Sequence, residues 1–128
     1  MRKAINALIV KNKRVLLFRK NLIWILPGGK PKQRESHIET LTREFKEKVS
    51  GAEIEIGKYY DSFRGRAPHK KDFLKAVVYF AKLKNPELVL KPSEEIKEIR
   101  FIGYPDTPFI YISDITRKIL KHYFRKNI

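Results

Sequence analysis

The stretch WILPGGKPKQRESHIETLTREFKEKVSG, Trp24 to Gly51, decides how the chain is read. It opens on a short apolar strand stopped by Pro27, turns through Gly28-Gly29, crosses a basic loop and enters a helix. Ser36 offers a side-chain oxygen to the first free N–H groups of that helix, and Gly51 offers a stop. Ile38, Leu41, Phe45 and Val49 recur at three- and four-residue intervals, the stripe of an amphipathic helix. At about 100° per residue, Glu44, Glu47 and Lys48 fall together on a flank away from that stripe. Two carboxylates one turn apart, beside a glycine turn with accessible backbone, form a patch of hard oxygen donors suited to Mg²⁺ or Mn²⁺. Glutamates are also good helix formers that simply face water, so helix composition alone leaves both readings open.

Outward from this stretch, the chain reads as strands. Ala4–Val10 and Val15–Arg19 form a pair joined by a turn at Lys11–Arg14, and Trp24–Leu26 is a short third strand. Ala52–Phe63 alternates like a half-buried strand, and Arg64–Asp72 reads as a basic loop. Phe73–Leu83 is the most apolar run, expected near the middle of a sheet. Asn85–Glu94 is loop, Ile96–Ile102 a further strand, and Gly103–Phe109 is irregular because Pro105 and Pro108 break any continuation. Ser113 is positioned to cap a last helix that turns Ile115, Ile119, Leu120 and Tyr123 inward. Strands, helix, strands, helix is the order of a mixed sheet sandwiched between helices.

The 128 residues suit one domain spanning 1–128, with a single core. There is no cysteine, which excludes disulfides and thiolate metal sites. No apolar run approaches the roughly 20 residues of a membrane span, so no membrane association is expected and the location reads as cytoplasmic. The formal net charge is +15, and no Asp or Glu precedes Glu35. Such an excess favours nucleotides, nucleic acid or polyphosphates, and equally describes a lysine-rich solvated surface.

The central spacing is more specific than the charge. Gly29, five residues, Glu35, seven residues, then Arg43-Glu44-Phe45 and Glu47 resembles the Nudix box. The lead-in Trp24 to Gly29 is similar to the segment that precedes the box in that family. The resemblance implies an α/β fold, an α/β/α sandwich with a mixed central β-sheet. It implies that Glu35 and Arg43 brace loop against helix. Glu44 would act as metal ligand or as the base that orients and deprotonates water, and Glu47 as a second ligand. The Gly28-Gly29 backbone, Gly29 above all, would approach the metal, Mg²⁺ or Mn²⁺. A further acid from a later strand would complete the site, with Glu98 the candidate and Glu94 and Glu95 alternates.

Three positions depart from the box: Lys48 stands for its second paired Glu, Ser50 for its late glycine, and Lys32-Gln33-Arg34 for a common Glu-Pro-Gly. Lys48 is the consequential one. An ammonium about 5 Å from a divalent cation is repelled by roughly 7 kcal/mol at an effective dielectric near 20. Glu44 and Lys48 are also spaced to form an ion pair along the helix.

Two functions of different class follow. One is a metal-dependent hydrolase that cleaves the pyrophosphate linkage of a nucleoside diphosphate joined to another moiety. Arg19, Lys30, Arg64, Arg66, Lys70 and Lys71 are its candidates for charge neutralisation, His69 for phosphate contact, and Trp24, Phe18, Phe73 and Tyr79 for base stacking. The other is a Nudix-fold module that binds nucleotide or RNA without hydrolysis. Family resemblance is compatible with a homodimer.

Overall fold

The computed structural model describes residues 2–67 and 72–127. His69, Lys70 and Lys71 lie outside the described residues. Strand β1, Arg2–Lys11, runs through the middle of the molecule and has apolar residues on both sides. Ile5, Ala7 and Ile9 belong to one apolar cluster, Ala4 and Leu8 to the other. A strand covered on both faces reads as an almost unbroken apolar run. It turns through Asn12 and Lys13, whose positive φ angles of 51° and 62° match the two-residue turn that joins twisted antiparallel strands. Strand β2, Arg14–Lys20, follows, then β3, Ile23–Ile25, and the two-residue strand β4, Gly28–Gly29.

The first helix, α1, spans His37–Lys48, followed by β5, Ile54–Arg66, β6, Phe73–Leu83, and β7, Ile96–Gly103. A 3₁₀ helix over Tyr104–Phe109 leads to α2, Asp114–Asn127. The sheet order is β3-β2-β1-β6-β5, with β4 on β1 and β7 on β2. β6 is parallel to β1 and antiparallel to β5, so the sheet is mixed, and the apolar Phe73–Leu83 run is internal as expected. β1 meets β2 only beside their turn, at Val10↔Val15 and Lys11↔Arg14. Further along β1 its free edge is taken by β4, through Ile5↔Gly29 and Asn6↔Gly28.

The helices cover opposite faces. Leu41, Phe45 and Val49 of the α1 segment pack with Ile5, Phe18 and Val77. Ile115, Ile119, Leu120 and Phe124 of α2 pack with Leu8, Phe63 and Val78. Burying a side chain of this size contributes about 1.5–3 kcal/mol. This is the expected α/β/α sandwich.

Several local readings are corrected. β5 continues through Arg64–Arg66 because Phe73, Leu74 and Lys75 pair with it, so the basic loop is shorter than read. Ile38 is 58% exposed; the buried position in that turn is Thr40, whose hydroxyl is bonded locally. α1 stops at Lys48, not beside Gly51: Val49 is extended and bridges to Pro92, and Ser93 caps the carbonyls of Glu47 and Lys48. Gly51, at φ +71°, makes the turn that follows. The segment read as irregular winds into the 3₁₀ helix, with Pro105 at its first turn.

Candidate active site

Placement of the site begins with the start of α1. Ser36 Oγ accepts from Glu39 N at 3.1 Å and Glu39 Oε1 accepts from Ser36 N at 3.0 Å, a reciprocal cap that fixes where the helix starts. One turn on, Arg43 reaches back to the loop. Its Nε donates to Glu35 Oε2 at 2.7 Å and its Nη2 to Glu35 Oε1 at 2.9 Å, a fork-to-fork pair. Lys32 N donates to Glu35 Oε1 at 2.8 Å, and Arg43 Nη2 also donates to the Lys30 carbonyl at 3.1 Å. The Arg43 hydrogen bonds, then the Lys32 N–H, hold the Glu35 carboxyl down from 4.5 to about 2. Bonding to Glu35 also raises the guanidinium above its ordinary range. These contacts tie the loop to the helix.

The same guanidinium orients the carboxylates. Its Nη1 donates to Glu44 Oε2 at 2.8 Å and to Glu47 Oε2 at 3.4 Å. Glu44 is tucked against Gly29, where an added Cβ would sit 2.3 Å from the Glu44 carboxyl carbon, so a side chain there would push the Glu44 carboxylate from this position. Lys48 lies on the other side. Its Nζ is 3.0 Å from Glu44 Oε1 and donates to the Gly28 carbonyl at 2.9 Å. Only 13% of the Lys48 side chain and 14% of the Glu44 side chain are exposed. The carbonyl aimed at this spot is that of Gly28; Gly29 instead provides space, which shifts the sequence reading by one residue.

A cleft of about 210 Å³ opens beside these groups, between β4 and α2. Asn6, Lys20, Gly28, Lys30, Lys48 and Thr116 supply its polar lining, and no carboxylate among the described residues lines it. Asn6, Lys20 and Thr116 carry no spacing signal, because they converge from three separate elements. Thr116 is signalled only indirectly, as the buried partner of the Ser113 cap.

Other sequence candidates are placed elsewhere. Glu98 of β7 faces Arg19 of β2 in register; Arg19 Nε donates to it at 3.1 Å, and Arg100 Nη2 also bonds it. Arg19 additionally donates to the Asn21 carbonyl at 2.7 Å, so both candidates spend their charge on strand neighbours. Trp24, 6% exposed, and Phe18, fully buried, are core residues and offer no face to a base. Arg64 and Arg66 end the edge strand β5 and are not among the cleft-lining residues. Tyr79 is half-buried with its hydroxyl 2.7 Å from His37 Nδ1, and Phe73 is exposed. Burial, followed by the nearby charge of Lys3, keeps His37 below its usual pKa.

The donor set was weighed against a divalent ion on these contacts. Glu44, Glu47 and the Gly28 carbonyl are hard oxygens of the right kind. However, Lys48 already holds Glu44 Oε1 and the Gly28 carbonyl, and Arg43 holds Glu44 Oε2. Among the described residues no three His, Asp or Glu side chains gather into a group able to hold a metal ion. As arranged, the residues do not fit a divalent ion.

An α/β/α sandwich that sets a carboxylate-bearing helix against a glycine turn defines a class, and comparison with known proteins identifies it. The family model described as NUDIX domain matches residues 1–123. The chain belongs to that family. A Nudix family member from Chromobacterium violaceum is 26% identical, with TM-score 0.73, over 100% of this chain and 80% of that one. The MutT Nudix hydrolase of Burkholderia pseudomallei is 23% identical, with TM-score 0.78, over 94% and 95%. An ADP-ribose pyrophosphatase from Streptococcus suis is 20% identical, with TM-score 0.65, over 90% and 81%. No curated protein sequence matches the chain. No helix among the described residues is long and apolar enough to cross a membrane.

Proposed function

We propose that this chain is a Nudix-type pyrophosphohydrolase acting on a nucleoside diphosphate linked to another moiety. The observation that carries the reading is Glu44, held by Arg43 beside a cleft that, among the described residues, is lined by three lysines and no acid. The cationic lining suits the phosphates, and Leu26 and Ile119 offer apolar wall to an uncharged end of the substrate. Glu44 orients and deprotonates the attacking water, with Glu47 alongside. Lys30 and Lys48 offset the negative charge that develops on the phosphate oxygens. Arg43 keeps Glu44 in place while Glu35 keeps Arg43 in place.

A second reading, a module that binds such a ligand without hydrolysing it, is favoured by the Glu44–Lys48 pair, which occupies the base. Incubation with ADP-ribose, with and without Mg²⁺, separates the two. Hydrolysis releases AMP, and Glu44→Gln lowers the rate about 100-fold, the lower end of what a positioned base contributes. Binding of ADP-ribose with no AMP release from the unaltered protein would leave only the binding module.

A further inference from the structure

The resemblance to the Nudix box implies a divalent ion at Glu44, and at that carboxylate this chain places an ammonium. Lys48 Nζ has three N–H donors, of which one goes to the Gly28 carbonyl, and the ammonium is paired with Glu44 Oε1 at 3.0 Å. At least one donor is left among the contacts of the described residues, on a side chain that lines the cleft. Both anchors are themselves fixed. The Glu44 carboxylate is held from its other oxygen by Arg43 at 2.8 Å. The Gly28 carbonyl sits on the short strand β4, and the preceding Pro27 carbonyl accepts from Ala7 N at 2.9 Å and Asn6 Nδ2 at 3.2 Å. The ammonium is therefore a positive charge held in place before any ligand arrives, and it costs little further ordering to use.

We propose that the Lys48 ammonium is the cation through which this cleft recognises the pyrophosphate of its ligand, so that ligand binding requires no divalent ion. The proposal rests on the reading of the cleft as a pyrophosphate site and deepens it. Lys30 lines the same cleft and adds to the attraction, Lys20 shares its charge with Glu95 at 3.9 Å, and among the described residues no carboxylate lines the cleft to oppose an unaccompanied diphosphate. The tethered cation also excludes its competitor: a free divalent ion gains Glu44 and the Gly28 carbonyl only by displacing Lys48 from both.

The test is calorimetric titration of the non-hydrolysable α,β-methylene-ADP into the full chain, in EDTA and again with Mg²⁺, for the unaltered protein and Lys48→Met. The expected result is an affinity that agrees within about twofold between EDTA and Mg²⁺, and at least a tenfold loss in Lys48→Met in EDTA. Binding that appears only with Mg²⁺ overturns this inference and leaves the hydrolase reading standing. Equal affinity of Lys48→Met and the unaltered protein in EDTA overturns it as well. Failure to bind under either condition overturns the cleft reading together with it. Titration of Mn²⁺ followed by electron paramagnetic resonance gives a second readout without nucleotide. The unaltered protein should leave Mn²⁺ free at micromolar concentration and Lys48→Glu should bind it; tight uptake by the unaltered protein overturns the inference.

Discussion

Arg43 and Lys48 stand on one helix, and each joins a carboxylate to a backbone carbonyl of the glycine loop, yet they are satisfied to different degrees. Arginine has five N–H donors, and Arg43 places all of them: two on Glu35 and one each on Glu44, Glu47 and the Lys30 carbonyl. Lys48 places one of its three on the Gly28 carbonyl and pairs its charge with Glu44. A cation with nothing left to give is a brace. A cation with a free donor, on the wall of a cleft that no acid among the described residues lines, is a recognition group. The two residues resemble one another in sequence context and differ in what the loop lets them reach.

The backbone to which Lys48 reaches is the hardest part of the comparison to alter. Gly28 sits at φ +144°, and an added Cβ would lie 2.1 Å from the Ile5 carbonyl oxygen. Gly28→Ala should cost at least ~3 kcal/mol, through strained φ and displacement of β4 from β1. Urea unfolding checks this, and a loss below about 1 kcal/mol would mean that β4 is not the fixed anchor described above.

Arg43→Met comes next. It removes five hydrogen bonds to charged or backbone acceptors, and with 20% of the side chain exposed the expected loss is about 2 kcal/mol at neutral pH. The brace also has a pH signature. Glu35 is lowered in the folded protein from 4.5 to about 2, so the unfolded chain takes up its proton first. The stabilisation is complete above about pH 4.5 and is lost as pH falls toward 2. Arg43→Met removes the largest cause of the lowering, so its stability should fall less steeply over that interval. Parallel acid profiles for the two proteins would show that Glu35 is held down by something other than Arg43.

Most of the fold was legible because periodicity survives in the sequence. The three- and four-residue spacing in α1, the apolar run of β6 and the caps at Ser36 and Ser113 are local signals. Ile38 has the spacing of the stripe but sits in the first turn of α1, where it is left exposed, so the pattern overstates the buried face. The extension of β5 to Arg66 is a pairing effect of Phe73–Lys75 and carries no apolar signature of its own. Glu35, Arg43, Glu44 and Glu47 stand out in the sequence because the box has fixed gaps, and Arg43 bonds the other three in the fold. Glu98 and Arg19 were misplaced because acid and base seen singly in sequence give no warning that β2 and β7 set them opposite one another. The contact of Lys48 with Gly28, twenty residues away, depends on which edge of β1 receives β4.

The smallest expected change in stability is the most informative about Lys48. Lys48→Met keeps the stem that packs beside the cleft and removes only the ammonium. Glu44 retains Arg43 on its other oxygen, and the Gly28 carbonyl faces a cleft from which water can replace the lost donor. The two side chains are largely covered, 13% and 14% exposed, but with these replacement partners the expected loss is that of one hydrogen bond, about 1 kcal/mol. Thermal unfolding of Lys48→Met should therefore lie close to that of the unaltered protein and clearly above that of Arg43→Met. If the two substitutions destabilise equally, Lys48 is a second brace, holding β4 to α1. If Lys48→Met is nearly as stable as the unaltered protein yet loses the ligand, the two cations are separated by role: one keeps the loop on the helix, and the other is left free to meet a phosphate.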